Sequence, residues 1–148
     1  MDGYGAIVTD SQFMSVSRPV HVFEQRFCVR PEDIDVQNHA SNIAYLKWTQ
    51  DVAVSHWRAR ATLEQQEDLT WVVIRHEIDY FKPSFLGQEL LLRTWIGKAS
   101  AATCERFTEI WRPSDEQLLA KVRSVWCLLD RHTFRPRRIT ADLVSRFQ

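Results

Sequence analysis

Charge of one sign is the first thing this chain lacks. Its 148 residues carry 19 Lys and Arg against 19 Asp and Glu, for zero formal net charge. A protein that binds the nucleic-acid backbone draws its affinity from clustered cations, so nucleic acid is not an expected partner. Long hydrophobic runs are lacking too. No stretch is long enough to span a bilayer, so no membrane association is expected. The longest apolar run before Thr9 is Ala6-Ile7-Val8, with no basic segment ahead of it, which predicts no signal peptide and a cytoplasmic location. Cysteine is sparse and unpaired. Cys28, Cys104 and Cys127 form no CxxC and have few histidines nearby, which argues against a zinc site and predicts small buried thiols in a reducing compartment. No metal is expected.

What is present suits one globular domain. Hydrophobic residues make up 45% of the chain, and 148 residues can bury a core without a disulfide or metal staple. Residues 1–19 contain Gly3, Gly5 and several serines with no clear period, which predicts a flexible tail before a single domain at 20–148. Alternation from Val20 to about Arg30 predicts a first strand, ended by Pro31 because proline cannot donate to a sheet ladder.

Asp33 to Trp57 is the most informative stretch. It starts as an acidic turn and becomes an apolar-striped helix from Asn42 to about Ala61, with Ile43, Leu46, Ala53, Val54 and Trp57 at spacings near three and four. Tyr45, Trp48 and Val52 widen that stripe, which predicts a helix mostly wrapped by protein. Asn38 and Ser41 are the candidate N-caps. The polar segment Glu64–Asp68 reads as a connection. Four strand-like segments follow: Trp71 to Phe81, Glu89 to Ile96, Cys104 to Trp111 and Leu118 to Leu129. Turns are expected at Pro83/Gly87, at Gly97 to Ser100 and at Arg112 to Asp115. Short connections predict an antiparallel meander. The fold class is therefore α+β: five antiparallel strands around one long central helix. Thr140 to Phe147 is a candidate terminal helix capped by Thr140.

The order strand, acidic loop, long helix, four strands resembles the hotdog fold. Asp33-Ile34-Asp35, Asn38-His39-Ala40-Ser41-Asn42, Tyr45 and Trp48 resemble the 4-hydroxybenzoyl-CoA thioesterase type of acyl-CoA thioesterase, the YbgC-like proteins included. Ile78-Asp79-Tyr80-Phe81-Lys82-Pro83, Gly87-Gln88-Glu89-Leu90 and Asp130-Arg131-His132-Thr133 with Arg135-Pro136 look similar as well. The likeness runs from about Phe23 to Leu143. It implies a thioester hydrolase that releases free acid and CoA from a fatty or aromatic acyl-CoA. It needs no cofactor, CoA being part of the substrate, and works as a homo-dimer or tetramer.

In that family the catalytic acid is the second of D-x-D, ten residues before the helix tyrosine, which carries the role to Asp35 rather than Asp33. The oxyanion donor carries over to the Asn42 backbone N–H. A thiol is a good leaving group, with a pKa around 8.5, so the chemistry needs an oxygen nucleophile and support for the developing oxyanion. An oxyanion donor is worth on the order of 100- to 1,000-fold, and general-base help roughly 100- to 10,000-fold. Asp35 as nucleophile and Asp35 as general base both remain open. His39 is a third catalytic candidate, as base or as orienting group, beside a structural role in the loop. Tyr45 and Lys82 are candidate substrate contacts. Among the basic residues Arg131, Arg135, Arg137 and Arg138, Arg135 and Arg138 are candidates for the CoA phosphates. Two departures from the family stand out: Asn38 where glycine is common, and Ser41 in place of Asn.

Other functions fit less well. A hotdog hydratase would show D-x-N-P-x-H, whereas Asp35 and His39 are four apart with no proline after Asn38. An acyl-carrier-protein thioesterase and a non-catalytic acyl-CoA binding module stay as alternatives.

Overall fold

A computed structural model describes residues 21–148; the expected tail at 1–19 lies outside the described residues. The elements are β1 (Phe23–Cys28), a 3₁₀ turn (Pro31–Asp33), α1 (Asn42–Arg60), α2 (Leu63–Asp68), β2 (Leu69–Tyr80), β3 (Glu89–Ser100), β4 (Thr103–Arg112), a second 3₁₀ turn (Pro113–Asp115), β5 (Gln117–Asp130) and α3 (Ala141–Ser145). The five strands form one sheet in the order β1-β3-β4-β5-β2, and every neighbouring pair is antiparallel.

That order explains why α1 lies where it does. β1 is at one edge and β2 at the other, so the chain between them crosses the whole sheet, and α1 makes the crossing. The expected meander holds for β3, β4 and β5 only. β2 pairs with β5, because the segment 81–88 is too long for a tight hairpin. It runs across the sheet end instead, tied by Phe81 N–H to Leu119 O (2.8 Å), Val29 N–H to Gln88 O (2.9 Å) and Arg112 Nη1 to Pro83 O (3.0 Å).

Ala44, Tyr45, Trp48, Thr49, Val52, Ala53 and His56 form the buried stripe of α1. The helix therefore rests on the sheet with one side open, rather than being mostly wrapped. Ile43 is 76% exposed and Val54 41% exposed. An apolar-only stripe is rotated from the real one because Thr49 and His56, both polar, face the sheet. Beneath the N-terminal half of α1 lie Leu90, Leu92, Ile110, Leu119 and Ala120. Burying the leucine and isoleucine side chains contributes about 1.5–3 kcal/mol each, and Trp48 adds a ring contact to Phe27 at 4.8 Å.

Three further local differences have simple causes. Leu63–Asp68 is a helix rather than a plain connection, because Thr62 and Gln65 form a reciprocal capping box. Gly97 to Ser100 belongs to β3, where a bulge lies between Ile96 and Ala99, and the turn falls at Ala101 with φ 52°. A second bulge between Val73 and Arg75 in β2 moves Val72 and Ile78 to opposite faces, although plain alternation puts them together. The terminal helix forms as expected, Thr140 accepting the Leu143 N–H at 3.1 Å.

Candidate active site

The loop before α1 is a small hairpin. Ile34 and Ala40 bridge, Asp35 N–H donates to His39 O at 3.0 Å, and Asn38 N–H donates to Asp35 O at 3.1 Å. This is a three-residue loop whose last residue must be left-handed. Asn38 takes that place with φ 64°. Asparagine tolerates this region better than most residues, so the departure from glycine leaves the turn intact.

The two acids of the loop have different surroundings. Asp33 is buried, and its Oδ2 accepts the Arg30 N–H at 2.9 Å while its carbonyl accepts the Ser41 N–H at 2.9 Å. Asp35 is open, its side chain 31% exposed. Its Oδ1 accepts the Gln37 N–H at 2.8 Å, and its Oδ2 lies 3.8 Å from His39 Nδ1. Asp33 therefore ties the loop to the helix start, whereas the Asp35 side chain is partly exposed.

The helix start follows at once. Ser41 is the N-cap, its hydroxyl accepting the Ala44 N–H at 3.1 Å. Asn42 is the first helical residue, and a first-turn N–H has no acceptor within its own helix. The Asn42 carbonyl accepts the Tyr80 hydroxyl at 3.2 Å, which pins this turn to the end of β2. Asp35 thus sits in the hairpin that leads into this helix N-terminus, an end where negative charge is stabilised.

The other expected site residues divide into two groups. Tyr45 is 2% exposed, and its hydroxyl lies 2.8 Å from Ser84 Oγ. Burial pushes its pKa up. Ser84 in turn accepts the Ala40 N–H at 2.8 Å, so Tyr45 braces the loop from inside the core. Lys82 is near by sequence and space, its carbonyl 3.4 Å from the Tyr45 hydroxyl. Arg135 and Arg138 are elsewhere. They are exposed and follow the far end of β5, where Pro136 bridges Leu129. Ala120, opposite Tyr80, is ten residues earlier on that strand, or about 30 Å away at strand rise. Within one chain these arginines are not brought to Asp35.

A second set of polar residues escaped the sequence reading. Arg106, Thr94, Ser124 and His76 meet across β3, β4, β5 and β2 on the face toward α1. Arg106 Nη1 donates to His56 Nδ1 and to Thr94 Oγ1, both at 3.0 Å. That makes Nδ1 the acceptor, so His56 carries its proton on Nε2, 2.9 Å from His21 Nε2. Burial, then the Arg106 charge, holds His56 down to about 3. The available signal was the alternation of Cys104, Arg106, Thr108 and Ile110, in which an arginine holds an inward position. Beside it is a cavity of about 330 Å³ between the second half of α1, the sheet and α3. Among the described residues no group of three or more His, Cys, Asp or Glu side chains is placed to hold a metal.

A five-stranded antiparallel sheet crossed by one long helix, with an acidic hairpin at the helix start, defines a hotdog domain. The chain belongs to the family described as the acyl-ACP thioesterase N-terminal domain, which matches residues 20–147. It is 23% identical over 150 residues to a chloroplastic palmitoyl-acyl carrier protein thioesterase of Gossypium hirsutum, covering 95% of this chain and 34% of that protein. A chloroplastic palmitoyl-acyl carrier protein thioesterase of Cuphea hookeriana is 24% identical over 155 residues, with 99% and 35% covered. The chain thus spans about a third of the length of these relatives. Among solved structures it is similar to a 1,4-dihydroxy-2-naphthoyl-CoA thioesterase from Synechocystis (TM-score 0.74, 19% identity, 86% of this chain and 96% of that one). It is also similar to the 12:0-ACP thioesterase from Umbellularia californica (TM-score 0.71, 21% identity, 84% and 49% covered). The match to the acyl-ACP thioesterase N-terminal domain does not single out the 4-hydroxybenzoyl-CoA type. Among the described residues no helix is long and apolar enough to cross a membrane.

Proposed function

We propose that this protein hydrolyses acyl thioesters carried on a phosphopantetheine arm, whether of an acyl carrier protein or of CoA. The observation that carries the reading is the open Asp35 carboxylate beside the capped start of α1, with the Asn42 N–H in its first turn. In this reading the thioester carbonyl oxygen is held by the Asn42 N–H. Asp35 then either takes a proton from the attacking water or attacks the carbonyl carbon itself. The carbon–sulfur bond breaks, the thiolate leaves and is protonated, and the acid is released. Gln37, through its N–H to Oδ1, helps to fix the carboxylate, with Oδ2 on the His39 side of the loop. Lys82, whose carbonyl lies 3.4 Å from the Tyr45 hydroxyl, is the candidate contact for the arm.

The carrier-protein form of the substrate gains support from the family match; Arg135 and Arg138 lie far from Asp35 in the same chain. Contact between those arginines and CoA phosphates would need a second copy of the chain. We infer such a copy. β2 is an edge strand that exposes Val72 (40%) and Ile74 (59%), and an unpaired apolar strand edge invites pairing. Sedimentation equilibrium is expected to show a dimer or tetramer.

The test is thiol release from a panel of acyl-CoAs and acyl-carrier-protein thioesters of matched chain length. Release is expected with at least one class, and Asp35→Asn is expected to lose about 100- to 10,000-fold in kcat with an unchanged melting temperature. Binding without release, or full activity in Asp35→Asn, would leave a binding module instead.

A further inference from the structure

The loop that follows β5 is closed as tightly as the one before α1. Asp130 N–H donates to Arg135 O, and the Asp130 carbonyl accepts the Phe134 N–H, both at 2.8 Å. Asp130 Oδ1 accepts the N–H groups of His132 and Thr133 at 2.9 Å each. Beyond the loop Pro136 bridges Leu129, and Arg137 N–H donates to Leu128 O at 2.9 Å, so residues 131–134 form the tip of a hairpin. The last residue of this tip is left-handed, as Asn38 is in the other loop, but here it is Phe134, with φ 57°. Glycine and asparagine suit that region, whereas a bulky side chain is strained there.

Packing does not offset that strain, because Phe134 is 68% exposed. Its surroundings carry one sign of charge. The run Arg131-His132-Thr133-Phe134-Arg135-Pro136-Arg137-Arg138 holds four arginines and no acid, and all eight residues are exposed. Two of the arginines are engaged within the chain. Arg131 Nη1 donates to Gln66 O at 3.1 Å, and Arg137 Nη1 pairs with Asp130 Oδ2 at 3.0 Å. Asp68, the other acid at this end, lies 4.0 Å from His132 Nε2. Arg135 and Arg138 form no ion pair among the described residues. The tip therefore presents one strained apolar ring together with two unpaired cations. Strain held at an exposed position points to a function for the side chain that causes it.

We propose that this tip docks on an anionic lipid surface, with Phe134 entering the headgroup layer and Arg135 and Arg138 pairing with lipid phosphates. A guanidinium matches a phosphate with two parallel hydrogen bonds. A ring at the tip of a turn is buried by a soft lipid interface without a matching groove in the partner. An acidic protein would pair with the arginines but give the exposed ring no role. This is contact with a membrane surface and not a span, so it adds an association that the lack of a long apolar run does not exclude. The site does not depend on the thioesterase reading.

Co-sedimentation of the whole protein with vesicles of phosphatidylcholine alone, and of phosphatidylcholine with phosphatidylglycerol, tests the site. Binding is expected only to the anionic vesicles and is expected to fall as salt is raised. Arg135→Gln with Arg138→Gln is expected to weaken it about 25-fold, or about fivefold for each charge. Phe134→Gly is expected to weaken it at least about tenfold, the scale of burying one such side chain, while the melting temperature holds or rises because glycine adopts this conformation freely. No binding, equal binding to neutral vesicles, or binding that either variant leaves unchanged would overturn the proposal. So would a clear fall in melting temperature with Phe134→Gly, which would give the ring a role within the fold. Displacement from the vesicles by micromolar CoA would return the arginines to the substrate, and tighter binding to polyglutamate than to anionic vesicles would make the partner an acidic protein; either result rejects the lipid surface.

Discussion

The Asp35 carboxylate and the His39 imidazole face each other across 3.8 Å without a hydrogen bond. The ring is committed elsewhere: Nδ1 is 3.1 Å from Ala40 O, and Nε2 is 3.1 Å from Gln37 Oε1. A carbonyl only accepts, so Nδ1 carries a proton and points it at the backbone. Nε2 is then the acceptor, which is satisfied when the Gln37 amide is turned to offer its N–H. This geometry makes His39 a brace of the loop whose last residue is left-handed, and it leaves the carboxylate without a hydrogen bond from the ring.

The corresponding prediction is a split between neighbours. His39→Gln should lower kcat by less than about tenfold, well short of the loss expected for removing a general base. A loss as large as that of Asp35→Asn, with the acid limb of the kcat/KM profile abolished, would make His39 the base.

Asn38 permits a test of the loop itself. With φ 64°, Asn38→Gly should leave stability and activity near wild type, because glycine adopts this region freely. Asn38→Val should cost about 1–3 kcal/mol, the scale of a strained backbone position, and should reduce activity more than stability alone explains. Urea denaturation and thiol release on the same preparations separate the two effects.

His56 predicts an acid-labile core. Its pKa is held down to about 3, first by burial and then by the Arg106 charge. Between about 3 and the ordinary value near 6.5, the unfolded chain binds a proton at this position and the folded chain does not. Stability is therefore fully present above about 6.5 and is lost as pH falls toward 3, by at most about 1.4 kcal/mol per pH unit. Burial shifts His76 and His21 in the same direction. Urea midpoints from pH 7 to 4 should fall accordingly. His56→Gln, which keeps an acceptor for Arg106, should flatten the slope.

Gly97 is expected to be intolerant for a packing reason. A Cβ there would lie 2.6 Å from Phe107 Cε2 and 3.2 Å from Glu105 Cβ. Gly97→Ala should destabilise by about 1–3 kcal/mol, the usual cost of overpacking, as read from the melting temperature. An unchanged melting temperature would mean that the Phe107 ring can move aside.

Local chemistry determined much of this protein from the sequence alone. Ser41 and Thr140 cap their helices, because caps and turns are decided by residues within a few positions of one another. The apolar spacing after Asn42 also gave the long helix and its length. Which side of α1 is buried was decided only by the tertiary structure. His56 is buried there because Arg106, fifty residues later, supplies a partner, and Thr49 because its hydroxyl donates to the Tyr45 carbonyl of its own helix. Strand faces depended on the bulges in β2 and β3, and a one-residue insertion leaves no mark in an alternating pattern. The placement of β2 at the sheet edge, the separation of Arg135 and Arg138 from Asp35, and the cavity over Arg106 all follow from pairing distant strands. No spacing within a segment encodes that pairing, since it is set by contacts made only once the sheet has closed beneath the helix.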